Sequence, residues 1–315
     1  MIIKPLLGIV SPAGERGRLS ILIFHRVFAE PDPIFPQEMH ARRFDEVCGW
    51  VKSWFNVLPL DQAAAHLKAG TLPARAACIT FDDGYADNHD VAMPILQRHG
   101  LPATFFIATG FLDGGRMWND TVIESVRLSK ASALDLGELG QFAISEPAEK
   151  SAAIDRIIQQ IKYLPVADRL AHTERIAHAA QVQLPGNLML TSAQVKAMRH
   201  AGMQIGAHTL SHPILSRLDD NEASAEIKGS KDFLEQLLSE RVGLFAYPNG
   251  KPGQDYLTQH VSMVRQAGFD AAVSTAPGVS LAATDHFQLP RFTPWDKSRV
   301  RFGSRLIANL RHISA

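Results

Sequence analysis

Ile79-Thr80-Phe81-Asp82-Asp83-Gly84-Tyr85 follows directly on the apolar residues Ala76-Ala77-Cys78. The combined run is short enough for a buried strand, and the glycine lets the backbone turn sharply behind it. Two adjacent acids are thereby delivered to a strand end. Neighbouring carboxylates repel, so burying both is costly unless a cation or a hydrogen-bond donor compensates one of them. A metal would do so. Asp-Gly is also ordinary turn chemistry, and the stretch alone admits both readings.

Beyond Tyr85, Val91, Ile95 and Leu96 give helical spacing over Asp87 to Arg98, Gly100 stops it, and Ala103 to Ala108 reads as the next strand. Strand, helix, glycine and strand within about thirty residues make a βαβ unit with parallel neighbours. Upstream, Leu19 to Phe24 is almost continuously apolar, as in a strand covered on both faces, and ends at His25-Arg26-Val27. That is where α/β folds place chemistry, although His25 could equally serve a loop hydrogen bond. Residues 41–55 carry an amphipathic stripe through Phe44, Val47, Cys48, Val51 and Trp54. A short strand at Phe55 to Leu60 and a helix capped by Asp61 and ended by Gly70 complete this half.

From about residue 119 to 190 the texture becomes helical, with Val122-Ile123-Val126 and Ile154-Ile157-Ile158-Ile161, and reads as an insertion. Thr191 and Gln194 form a capping-box start, and Met203 to Ala207 is a short strand that runs into His208-Thr209-Leu210-Ser211-His212-Pro213. Two histidines four apart point at one locus if this segment makes a helical turn. The helix over Glu222 to Leu238 is expected only to pack. Further strands end at Tyr247-Pro248-Asn249-Gly250, at Ser274, and at Pro290-Arg291.

The strand ends thus supply Asp82, Asp83, His208 and His212, with His25 and Arg291 as candidate additions. One carboxylate and two imidazoles suit zinc and leave a fourth position open, as a catalytic site requires. Several other divalent ions, among them cobalt, nickel and manganese, accept the same donors.

Thr80-Phe81-Asp82-Asp83-Gly84 and His208-Thr209-Leu210-Ser211-His212 resemble the two signature motifs of the polysaccharide deacetylases, carbohydrate esterase family four. Phe245-Ala246-Tyr247-Pro248-Asn249-Gly250 resembles the third motif of the poly-N-acetylglucosamine deacetylase branch. The resemblance implies a distorted (β/α) barrel of about seven parallel strands, here one catalytic domain over residues 1–315 with a helical insertion at about 119–190. It implies hydrolysis of N-acetyl groups on an acetylated glycan, with Asp83, His208 and His212 as ligands of one divalent ion. Asp82 becomes the general base, and the backbone N–H of Tyr247 an oxyanion donor. The arginine that often begins the third motif is missing, and Arg291 is expected to supply that charge from the last strand. The late Leu-x-His motif is missing too. His25, in a Phe-His-Arg-Val context similar to a rearranged branch, is favoured as general acid over His286, which precedes its strand. An amidohydrolase acting on a small non-sugar amide is the alternative reading.

Composition narrows the partners. Of 315 residues 46% are hydrophobic, and 32 basic residues balance 32 acidic ones, so no general attraction to nucleic acid or anionic lipid is expected. Cys48 and Cys78 lie in apolar surroundings and read as packed thiols. No run of about 18 apolar residues predicts a transmembrane helix. Met1 to Val10, broken by Pro5 and Gly8 without a cleavage pattern, reads as part of the fold or a cap, which predicts a cytoplasmic location. Tyr85, Trp118 and Trp295 could stack on sugars or simply pack.

Overall fold

The computed structural model describes residues 3–311. Helix α1 (Ile3–Val10) buries Leu7 in the main core, and strand β1 (Ser20–Phe24) is buried along its whole length. Residues 1 and 2 of the expected terminal cap lie outside the described residues. Helix α2 (Ala41–Trp54) turns Phe44, Val47, Cys48, Val51 and Trp54 inward as their spacing predicts, and β2 (Asn56–Val57) pairs beside β3. In α3 (Leu60–Ala69) Pro59 takes the N-cap position, so Asp61 sits inside the first turn rather than capping it. Gly70 ends that helix at φ 67°. Strand β3 (Ala76–Phe81) alternates: Ala76 and Cys78 join the inner cluster with Phe106, Leu244 and Leu289, whereas Ala77, Ile79 and Phe81 pack outward with Phe44.

After β3 the chain enters a π-helical turn over Asn88–Ala92 before α4 (Met93–His99) and β4 (Thr104–Ile107). Helix α5 (Trp118–Leu128), the hairpin of β5 (Ala133–Asp135) with β6 (Gln141–Ala143), α6 (Pro147–Ile161) and α7 (Val166–Ala180) form the inserted region. Its antiparallel hairpin departs from the all-helical expectation, because three-residue strands carry too little alternation to be seen in sequence. Val122, Val126, Leu134, Phe142, Ile154, Ile157 and Ile176 share a separate hydrophobic cluster here. Burying the apolar faces of α5, α6 and the hairpin against one another contributes on the order of 2 kcal/mol per large side chain.

Helix α8 (Ser192–His200) starts at the Thr191–Gln194 capping box, and β7 (Gln204–Ala207) follows. A Cβ at Gly206 would stand 2.5 Å from the Phe106 ring, so only glycine lets β7 lie this close to its neighbour's inner side chain. Then come α9 (Asp220–Leu238), β8 (Leu244–Ala246), α10 (Thr258–Gln266), β9 (Ala271–Pro277), β10 (Leu289–Arg291) and α11 (Arg299–Arg311). Helix α11 escapes the sequence reading because arginines crowd the stripe of Phe302, Leu306 and Leu310.

The strands pair in the order β1-β3-β4-β7-β8-β9-β10, every pair parallel. Phe292, just past β10, donates its N–H to Ile21 at 2.7 Å and accepts from Ile23 at 3.1 Å, which carries the circuit back to β1. The result is the expected distorted seven-stranded (β/α) barrel. Its carboxyl-end mouth collects the residues that follow β1, β3, β7 and β8.

Candidate metal centre and active site

Asp82 continues the inward face of Ala76, Cys78 and Thr80, and Arg291 is the inward residue closing β10. Barrel closure brings them together: the Arg291 guanidinium donates two parallel hydrogen bonds to Asp82, at 2.7 and 2.6 Å. Its Nε donates to Ser274 O at 2.8 Å, and its side chain is fully buried. Burial raises the Asp82 carboxyl, but the Arg291 and His208 charges outweigh it and hold the group below the usual carboxylate range. An ionised, immobilised carboxylate at the barrel axis is equipped to take a proton.

Asp83 leaves the strand in the left-handed region at φ 77°, turning its carboxylate away from Asp82 and toward the histidines. Gly84 follows at φ 86°, and a Cβ there would press on Ile107 at 3.2 Å. Asp83 Oδ1 lies 3.4 Å from Nε2 of both His208 and His212. The oxygen is buried and has no hydrogen-bond partner among the described residues. His208 Nδ1 lies 2.7 Å from Ala246 O, so it carries the donated proton and leaves the Nε2 lone pair facing Asp83.

Burial pushes the His212 imidazole down to about 4 against the pull of Asp83, so that ring is neutral at pH 7. Burial acts the same way on His208, but Asp83 and Asp82 overcome it and raise that group.

The two imidazoles converge, with ring centroids 4.9 Å apart, though not through the helical turn their spacing suggests. Thr209 and His212 are both left-handed, at φ 65° and 53°, and the segment is an irregular loop. Proline at 213 disfavours the helical region for His212. The loop is held instead by Glu226 of α9, which accepts from the N–H groups of Leu210 and Ser211 at 2.8 Å each and from the Ser211 hydroxyl at 2.6 Å. The helix expected only to pack therefore fixes the histidine loop. A lone half-buried glutamate on a polar helix face gives no sequence signal for this.

His25 follows β1 and lines a cavity of about 260 Å³ together with Asp83, Tyr85, Arg26 and Asp120. Asn88 donates to His25 O at 2.8 Å, and Asp87 holds Arg26 at 2.8 Å and the Val27 N–H at 3.1 Å, so the loop is fixed from the acid turn. The Arg26 guanidinium lies between the Phe28 and Tyr85 rings, 4.4 and 4.5 Å from their centroids. His286 precedes β10, at the amino end of the barrel, and its carbonyl accepts from Ala272 at 2.9 Å. Only His25 of the two faces the mouth.

Tyr247, named above for an oxyanion donor, follows directly on β8. Its N–H donates to Val273 O at 3.3 Å within the sheet, its hydroxyl donates to Phe287 O at 3.0 Å, and its ring stacks on Tyr256 at 3.8 Å. The residue lies one position past β8, and its amide reaches β9 by this one long bond. Tyr85 is buried at the cavity, Trp118 is half-buried beneath Arg169, and Trp295 stands 71% exposed, which leaves its face free. Cys48 and Cys78 are buried free thiols, as expected.

The residues fit a divalent ion. Donors about 2.1 Å from one tetrahedral centre stand about 3.4 Å apart, the separation seen between Asp83 Oδ1 and each imidazole nitrogen. The three residues' donor atoms all lie within 4.8 Å of one another, and the unpartnered buried oxygen calls for a cation.

Known proteins share the family profile and the fold. The sequence profile described as polysaccharide deacetylase matches residues 69–135 and 142–272. The Bacillus subtilis protein YxkH is 20% identical over 265 residues, which cover 84% of this chain and 66% of YxkH. A poly-β-1,6-N-acetyl-D-glucosamine N-deacetylase of Staphylococcus epidermidis is 24% identical over 213 residues, 64% of this chain and 71% of that protein. Among solved structures, the Streptococcus pyogenes deacetylase PplD in complex with acetate shares the fold at TM-score 0.61 and 19% identity, over 93% of this chain and 98% of PplD. IcaB from Ammonifex degensii does so at TM-score 0.59 and 17% identity, over 96% and 99%. Fold and triad together support a metal-dependent amide or acetyl hydrolase. The profile spans most of the barrel, including the turns that carry Asp82, Asp83 and both histidines, and the chain belongs to the polysaccharide deacetylase family.

Proposed function

We propose that this protein removes N-acetyl groups from an amino-sugar oligo- or polysaccharide, using water activated at a single zinc ion held by Asp83, His208 and His212. The observation that carries the reading is the unpartnered Asp83 Oδ1, 3.4 Å from both imidazoles and adjacent in sequence to an arginine-held carboxylate. When bound, the ion polarises the amide carbonyl and lowers the pKa of water. Asp82 accepts the proton of the attacking water, and Arg291 keeps that carboxylate ionised and oriented. His25, at the cavity mouth, delivers a proton to the departing amine. The metal ligands remain fixed by Ala246 O and Glu226 throughout. The poly-N-acetylglucosamine branch is supported by the names of the staphylococcal relatives and by the Tyr247-Pro248-Asn249-Gly250 turn.

The test is metal content measured beside acetate release from N-acetylglucosamine oligomers, for wild type and Asp82→Asn. One bound divalent ion in both proteins, with acetate released by wild type alone, is the expected result. A bound ion with no release from any acetylated sugar would transfer the site to small amides, and no bound ion under metal-replete conditions would remove the mechanism.

A further inference from the structure

Asp120 lies in the first turn of α5, inside the inserted region and remote in sequence from both signature turns. It is 2% exposed, and only one of its carboxyl oxygens is used: the Tyr85 hydroxyl donates to Oδ1 at 3.1 Å. Oδ2 is buried without a hydrogen-bond partner among the described residues. Leaving such an oxygen unpaired costs about 1–3 kcal/mol, a penalty that folding alone gives no reason to retain. The residue lines the same 260 Å³ cavity as Asp83 and His25, the chamber in which the proposed function seats the reacting amide. Arg26, the cation closest in sequence to His25, is directed to Asp87 and leaves Asp120 unneutralised by an ion pair.

We propose that Asp120 is a specificity-determining residue whose carboxyl group pairs with a hydroxyl of the sugar unit that carries the scissile acetamide. The proposal rests on the amino-sugar reading above. A hydroxyl both donates and accepts, so it suits a buried carboxyl whether or not the carboxyl holds a proton. An ammonium group suits only the ionised form, and a plain acetamide brings no hydrogen donor except the reacting N–H itself. The insertion then acts as the part of the molecule that distinguishes a hydroxylated amide from a bare one.

The experiment compares kcat and KM of the metal-loaded wild type, Asp120→Ala and Asp120→Asn on N-acetylglucosamine oligomers and on an aryl acetate, with metal content and Tm alongside. Asp120→Ala is expected to lose roughly ten- to hundredfold in kcat/KM on the oligomers, carried mainly by KM, and at least tenfold more than on the aryl acetate. Asp120→Asn keeps the shape and the acceptor for Tyr85, and its amide still pairs with a hydroxyl, so its loss is expected to be smaller, up to roughly tenfold. Equal losses on both substrates, or loss of the bound metal, would make Asp120 structural and overturn the proposal. Oligomer kinetics unchanged in both variants would overturn it while leaving the amino-sugar reading intact. A wild type that cleaves the aryl acetate but no oligomer would remove the amino-sugar reading and the Asp120 proposal with it.

Discussion

The barrel mouth and the inserted helices solve opposite problems. In the insertion, Ile154, Ile157, Ile161 and Ile176 fill a hydrophobic centre with Phe142, and the only left-handed non-glycine residue described between 119 and 190 is Gln181, which ends α7. At the mouth, Asp83, Thr209, His212 and Asn249 are all left-handed, and Asp82, Asp83, His208 and Arg291 are buried together. Each such backbone costs on the order of 1 kcal/mol or more, and each buried charge must be paired. The insertion is built for stability, while the mouth holds strain and charge that only the surrounding barrel keeps in place.

Two buried arginines test this contrast most strongly. Arg291→Met leaves Asp82 buried without its partner and is expected to destabilise the protein by about 3–5 kcal/mol in urea unfolding and to abolish turnover. Arg169→Met in α7 removes a guanidinium with one hydrogen bond, to Lys162 O, a stack on the Trp118 ring and an unpartnered Nε, so a loss of about 1 kcal/mol is expected. Similar losses in the two variants would erase the distinction.

Asp120 belongs to both regions, and its titration sharpens the comparison. Burial, opposed by Arg26 and reinforced by Asp83, pushes its carboxyl up to about 7. The folded protein therefore keeps a proton that the unfolded chain releases at about pH 4. Its contribution favours folding at low pH, weakens between about pH 4 and 7, and is flat above. With metal chelated, Asp120→Asn is expected to gain on wild type across that window, by on the order of 4 kcal/mol at the plateau. A stability difference independent of pH would show that the carboxyl does not titrate there. The smallest effect is expected at Glu226: Glu226→Gln weakens the bonds holding the histidine loop, lowering metal affinity roughly tenfold with little change in Tm. Unaltered affinity by calorimetry would assign the loop's geometry to its own backbone instead.

What could be read from sequence followed from period and position. Alternation along Ala76 to Asp82 and the apolar runs before His25 and His208 predict strand ends, and parallel strand ends share one mouth. Arg291 was readable for the same reason. Glu226 and Asp120 were not, because each acts through contacts between segments far apart in the chain, and a single acid on a helix has no periodic signature. Tyr247 shows the limit from the other side: the motif places the residue at a strand end, but the partner its amide takes, Val273 O, is contributed by a neighbouring strand that the motif does not contain.

The Arg291–Asp82 pair joins positions 209 residues apart. During synthesis, a chain that has emerged as far as β9 already carries both acids and both histidines but lacks the guanidinium that holds Asp82 ionised and in place. On the proposed mechanism, hydrolytic competence waits for one late event, the docking of the last strand against the first.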